Sequence, residues 1–285
     1  MKKSVAEFPL AHFEELIPLL MRCFPAFWGP RLARGVHSFP YDLKLFCMEL
    51  DGQRMGTAGI HEYPFLFHGA AISCGGLCDV GIDPDFRGHG YAGFLQEFAL
   101  AYCRNHYPHY PLVPLYTDKP AVYKSHGWQL YEPNRLLEIR AEDFPKSRAF
   151  RLNVPEESMD CLRMKRRPQS RDEEIMHAIQ CIYAQGILFN GKCLRSAETW
   201  RELFSNPEHE WVLENQTYFL YRGPRLLEAY STIPDHPSGR FIPAQGGYGS
   251  NKIMLNLQRS AEDRMDQLEE TIERKALFFP IADTF

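Results

Sequence analysis

The stretch Val80-Gly81-Ile82-Asp83-Pro84-Asp85-Phe86-Arg87-Gly88-His89-Gly90-Tyr91-Ala92-Gly93 constrains the fold more than any other part of the chain. Ahead of it, Ala71 to Ile82 reads as an apolar strand, and Asp83-Pro84 stops it because proline has no N–H to continue a ladder. Behind it, Phe94, Leu95, Phe98, Ala99 and Tyr102 recur at helical spacing. A strand that passes through a glycine-punctuated loop into a helix is an anion-binding arrangement. Glycines let backbone N–H groups approach a phosphate, and the helix directs its positive end at the same point. The ligand expected there carries a phosphate or pyrophosphate.

The elements around this loop alternate as in a mixed α/β fold. Leu10 to Cys23 reads as a helix through Phe13, Leu16, Ile17 and Leu20, and Tyr41 to Leu50 and Arg54 to Glu62 read as a hairpin about Asp51-Gly52. Pro111 to Tyr116 reads as a short strand, followed by a short helix through Tyr123 and a strand pair from Trp128 to Ile139. From Ala141 to Met164 the chain turns polar, with Pro145, Pro155 and the basic run Lys165 to Arg167 just beyond, which divides it into units 1–145 and 146–285. The second unit holds helices at Asp172 to Gln185 and Ala197 to Phe204, the latter with Ser196 as N-cap, and a hairpin from Trp211 to Ile233. Its last helix is expected over Ala261 to Leu277. Two helices before a hairpin occur in both halves, and Phe219 to Leu227 echoes Phe46 to Gly56, so a duplicated fold is expected. The second half has no counterpart of the glycine loop.

Composition narrows the function. The 285 residues are 45% hydrophobic and 24% charged, a globular composition without a run of the ~20 apolar residues a membrane helix needs. Met1 to Glu7 turns polar before a signal-peptide core could form, so a cytoplasmic location is expected. A net charge of −4 gives no footprint for nucleic acid or anionic membranes and suits a cationic small substrate. The eight cysteines include no C-x-x-C pair, and Cys74 and Cys78, ~13 Å apart along a strand, are too distant for one metal or one disulfide, so buried reduced thiols and no metal are expected.

The loop admits two readings. Gly88, Gly90 and Gly93 spell G-x-G-x-x-G, but a dinucleotide fingerprint needs its first glycine straight after the strand and an acidic residue ~20 positions on. Five residues including a proline separate Ile82 from Gly88, and Tyr107 to Tyr116 contains no carboxylate. Read instead as R-x-x-G-x-A at Arg87, Gly90 and Ala92, after a V-x-I strand and a D-P turn, the segment resembles the pyrophosphate loop of the GCN5-related N-acetyltransferases (GNAT). Tyr123-Lys124-Ser125-His126-Gly127-Trp128 resembles that family's Y-x-x-x-G-F/W segment at the expected distance. Pro114 to Tyr123 and the missing second loop look most like the tandem acetyltransferases of the enhanced intracellular survival type, without their third domain.

The resemblance implies a GNAT fold in two tandem copies, the second degenerate, with acetyl-CoA as co-substrate. It implies that Val80, Gly81 and Ile82 serve the pantetheine arm, with an amide near Gly81 as oxyanion donor, and that Arg87, Gly88, His89, Gly90, Tyr91, Ala92 and Gly93 cradle the pyrophosphate. Asp118 and Lys119 match positions near the cofactor, and Tyr123, a phenol protonated at neutral pH, matches the general acid. His126 reads as a structural turn residue. The family's base positions on the strand fall on Cys78 and Gly76, which serve poorly, and strand alternation turns Asp79 to the other face. The base is left open between the C-terminal carboxylate of Phe285 and a water relay to Asp42, Glu49 or Glu62. The implied activity is acetyl transfer to a primary amine by direct attack. The alternatives are a non-catalytic CoA-binding module and, from the literal glycine pattern, a nicotinamide enzyme. Homo-oligomer formation is left open.

Overall fold

The computed structural model describes residues 2–33, 35, 39, 43–131, 151–152, 170–185, 192–214, 216–223, 225–232, 252–258 and 265–274. Strands β1 (Lys3–Phe8), β2 (Leu43–Leu50), β3 (Gln53–Phe67) and β4 (Ala70–Ile82) form an antiparallel sheet in that order. Two tight turns set its register. Asp51-Gly52 and His68-Gly69 all adopt positive φ, as two-residue hairpin turns that match strand twist require. The second turn lengthens the β3–β4 hairpin well past Glu62, where Pro64 weakens the strand signal in the sequence.

Helices cover both faces. A 3-10 segment, Leu10–Leu16, precedes α1 (Ile17–Cys23), and α2 (Pro25–Ala33) follows directly. The single helix expected from Leu10 to Cys23 is therefore divided: His12 leaves helical geometry, and Pro18, lacking an N–H, sits in the first turn of α1. These segments pack Phe13, Leu16, Leu20 and Trp28 against Leu43, Leu45, Cys47 and Cys78. On the opposite face α3 (Tyr91–His106) packs Leu95, Ala99, Leu100 and Cys103 against Phe46, Met48, Leu77 and Ile82. Strand β2 is buried on both faces, which explains its near-continuous apolar run.

A second sheet contains β5 (Leu112–Thr117) and β6 (Gln129–Tyr131), with α4 (Ala121–Lys124) between them in sequence. The strand that pairs with both is β10 (Lys252–Leu257), antiparallel to each. The division at residue 145 assigns β10 to the second unit, yet its hydrogen bonds lie between two strands of the first. Helix α7 (Met265–Glu273) joins the same cluster through Leu268, beside Tyr63, Phe65, Leu112 and Leu255.

The remaining elements are α5 (Arg171–Gln185), α6 (Ala197–Ser205) and an antiparallel meander of β7 (His209–Glu214), β8 (Thr217–Arg222) and β9 (Arg225–Ser231). The hairpin expected from Trp211 is thus the three-stranded meander, because Gln216 makes a further turn. Ser196 caps α6 as read from the sequence, accepting from the Thr199 N–H at 3.2 Å. The core holds a buried ion pair: Arg195 donates to both carboxylate oxygens of Glu228, at 2.9 and 2.5 Å, and Tyr218 Oη donates to the same group at 2.8 Å. Further contacts tie the halves together. Arg31 Nη1 of α2 donates to Glu202 of α6 at 2.5 Å, and β3 bridges Phe65 to Cys193. The polar stretch 153–169, the segment 233–251, most of the expected pair 128–139 and the ends of the last helix lie outside the described residues.

Candidate functional site

The site begins at a fault in β4. Thr57 pairs with Gly81 but Gly59 pairs with Cys78, so Asp79 and Val80 stand opposite the single residue Ala58. This is a β-bulge: Asp79 takes φ of 50°, and Thr57 Oγ1 fastens its carbonyl at 2.9 Å. The bulge resets side-chain parity, which is how Leu77 and Ile82, an odd number of residues apart, reach the same cluster under α3. Simple alternation, the basis for turning Asp79 away from Cys78, breaks at Asp79 itself.

Strands β4 and β5 pack side by side but belong to separate ladders. The Asp83 N–H donates to the Met55 carbonyl at 2.8 Å. By the two-residue alternation of an antiparallel ladder, the N–H of Gly81 also points to β3, while Ile82 points its N–H and carbonyl toward β5. The Ile82 carbonyl indeed accepts from Arg87 Nε at 2.9 Å. Among the amides near Gly81, that of Ile82 is therefore the one that faces the opening. Gly81 has another role: a Cβ there would lie 2.6 Å from the Phe24 ring and 2.9 Å from the Cys23 Cβ, so the end of α1 can close on β4 only at a glycine.

The loop follows directly. Gly88 (φ 84°) and Gly90 (φ 75°) hold left-handed backbone, and Gly90 is the N-cap of α3 without a capping side chain. Among the described residues none accepts a hydrogen bond from the amides of Gly88, His89, Gly90, Tyr91 or Ala92. Five free donors at the positive end of a sixteen-residue helix form an anion cradle. His89 is exposed and its ring lies 5.8 Å from that of Tyr91, and Gly93 is packed beneath His126, 2.3 Å from where a Cβ would stand. Two carboxylates beside such a cradle would oppose an anion, but Arg22 neutralises both, donating to Asp83 twice at 2.7 Å and to Asp85 at 2.6 Å. The paired Arg22 holds the Asp83 carboxyl below its usual range. Arg22 lies 61 residues from Asp83, so no local pattern announces it.

Beyond β5, Asp118 and Lys119 are exposed, and the Lys119 N–H donates to Thr117 Oγ1 at 2.9 Å. Tyr123 is buried among the residues of the α3 cluster, its ring edge-on to Trp128 at 5.9 Å. Burial pushes its phenol up to about 12, against the lowering effect of a hydrogen bond with Thr117. His126 Nδ1 meets Glu97 at 3.0 Å, and its carbonyl and that of Gly127 face the Asn256 amide of β10, which supports its structural reading. Burial also pushes the Cys23 thiol up to about 11, so it stays protonated and weakly nucleophilic at neutral pH.

Of the base candidates, Glu49 lies 3.8 Å from Arg54 Nε and Glu62 accepts from Ser73 Oγ at 2.9 Å, while Asp42 and Phe285 lie outside the described residues. The sequence gives no sign of His61. It pairs with Leu43 on one side and Gly76 on the other, and cross-strand partners share a face, so its imidazole stands with Cys78 on the side covered by α1 and α2.

Comparison with known proteins agrees with this geometry. Residues 8–131 match the family model described as an acetyltransferase (GNAT) domain. Among solved structures, the GCN5-related N-acetyltransferase from Kribbella flavida is similar over 90% of this chain and 71% of its own, at 11% identity and a TM-score of 0.55. The GCN5-related N-acetyltransferase from Anabaena variabilis is similar over 90% of this chain and 73% of its own, at 13% identity and a TM-score of 0.53. No curated protein matches the sequence. The fold is the GNAT fold, and residues 8–131 are similar to an acetyltransferase domain.

Proposed function

We propose that the chain is an acetyl-CoA-dependent N-acetyltransferase that moves an acetyl group to a primary amine of a small or peptidic acceptor. The observation that carries this reading is the row of free amides from Gly88 to Ala92 opening beside the unpaired β4–β5 seam. These amides suit the pyrophosphate, and Ile82 offers an N–H to the thioester carbonyl as charge gathers on its oxygen. In the transfer, the amine nitrogen bonds to the acetyl carbon, the carbon–sulfur bond breaks, the amine proton passes to a base and the sulfur leaves as a thiolate that takes a proton from water. The register supports His61 as the base. Tyr123, with its phenol near 12, is a hydrogen-bond donor to the departing sulfur rather than a source of a fully transferred proton, since ~3.5 units separate it from a thiol of ~8.5.

The tandem arrangement, with the second half as a degenerate copy that walls the acceptor site, belongs to the same proposal. Similarity over 90% of the chain to GNAT proteins supports it. The test is release of free CoA from acetyl-CoA across a panel of amines. His61→Gln should lower kcat by about 10²-fold or more with acetyl-CoA affinity unchanged, as loss of a general base does. A loss confined to affinity would remove His61 from the chemistry. One observation favours a CoA-binding module without turnover: Gly76 and Cys78 carry no basic group. Amine-dependent CoA release above background excludes that reading.

A further inference from the structure

We infer that Gln96 is a cofactor-binding residue that reaches the pantetheine arm from beneath the β4–β5 seam, an inference that rests on the acetyl-CoA reading above. Gln96 is fully buried on α3, and neither its Nε2 nor its Oε1 has a partner among the described residues. An unsatisfied buried amide costs ~1–3 kcal/mol per group, so the side chain is either a defect or waiting for a ligand.

Its direction follows from its neighbours. Leu95 reaches toward β3, where its Cδ1 lies 2.9 Å from a Cβ built on Gly56, and Gly56 pairs with Ile82. Gly93 faces the other way, against His126 and through it Asn256 of β10. At ~100° per residue, Gln96 projects between these two directions, with Ala99 and Cys103. That sector holds Leu77 and Ile82 of β4 and Val113 and Leu115 of β5, the two strands that share no ladder. Leu95 fixes the level at Ile82, beside the bulge. An amide that offers one donor and one acceptor here complements a secondary amide, and pantetheine carries two. Apolar residues on every other inward position of α3 make the polarity at 96 specific to this level.

The test compares CoA with its nucleotide half, adenosine 3′-phosphate 5′-diphosphate, by calorimetric titration of the full chain and of Gln96→Met, a substitution of similar volume. CoA affinity should fall about five- to ten-fold, the effect of a hydrogen bond of ~1 kcal/mol, while affinity for the nucleotide half stays within two-fold. The denaturant midpoint of the unliganded variant should rise, because the buried polar atoms are gone. A higher midpoint with CoA affinity unchanged would overturn the inference and leave Gln96 a packing defect. Equal losses for both ligands would overturn it too, by placing the effect at the phosphate loop. No binding of either ligand by the unaltered protein would overturn the acetyl-CoA reading itself.

Discussion

Gly93 and His126 make the sharpest residue-scale case, because a Cβ at 93 and the imidazole cannot share the same space. Gly93→Ala should destabilise the fold by about 1–3 kcal/mol, the usual effect of overpacking, and His126→Ala in the same chain should recover most of it. Urea denaturation of the two variants checks this, and equal losses would show that the ring is not the obstacle. The Arg22–Asp83 pair predicts a pH dependence of definite sign. A carboxyl held below its unfolded pKa of ~3.9 stabilises the fold above that value and loses the contribution as pH falls through the lower folded value. Asp83→Asn should therefore flatten the acid limb of a stability–pH profile without changing its slope above pH ~5. At this scale the sequence was informative wherever a candidate residue sits in a local pattern: the glycines, Arg87 and Tyr123 all stand out in short motifs. Arg22, His61 and Gln96 do not, because each acquires meaning only from a partner, or a missing partner, brought near by the fold.

At the scale of elements, the bulge in β4 does most to shape the site. Thr57→Val removes a side-chain bond to it, that to the Asp79 carbonyl, while keeping the shape of the side chain. Stability should fall by about 1 kcal/mol, and acetyl-CoA affinity should fall with it, as measured by thermal unfolding and titration. Unchanged affinity would mean that the seam holds its form without the tie. The meander of β7 to β9 carries a different dependence. Replacing Arg195 by Met leaves Glu228 charged and buried, and should cost about 3–5 kcal/mol in chemical denaturation, more than replacing both by apolar residues. Strands and helices were mostly legible from periodicity, the exceptions being elements interrupted by proline: the 3-10 segment before Pro18, α2 with Pro30 inside it, and β3 beyond Pro64. The bulge was hidden because a period-two reading assumes the alternation that a bulge breaks.

At the scale of the whole molecule, β10 binds the end of the chain into its first half. No periodicity could reveal that a strand at 252–257 separates β5 from β6, since pairing across more than a hundred residues leaves no local trace. Removing residues 252–285 should therefore unfold the first half rather than trim a free unit, visible as loss of cooperative unfolding by circular dichroism. Among the described residues no helix is long and apolar enough to cross a membrane. The central claim is that the free amides of Gly88 to Ala92 hold a CoA phosphate, and calorimetric titration of acetyl-CoA, with NADH and Gly90→Glu as controls, tests it most directly. A glutamate at 90 would strain a left-handed position and set a negative charge inside the cradle. Acetyl-CoA should bind at micromolar level, NADH should not bind, and the variant should lose binding. Absence of acetyl-CoA binding by the unaltered chain, or binding undiminished by Gly90→Glu, would contradict it.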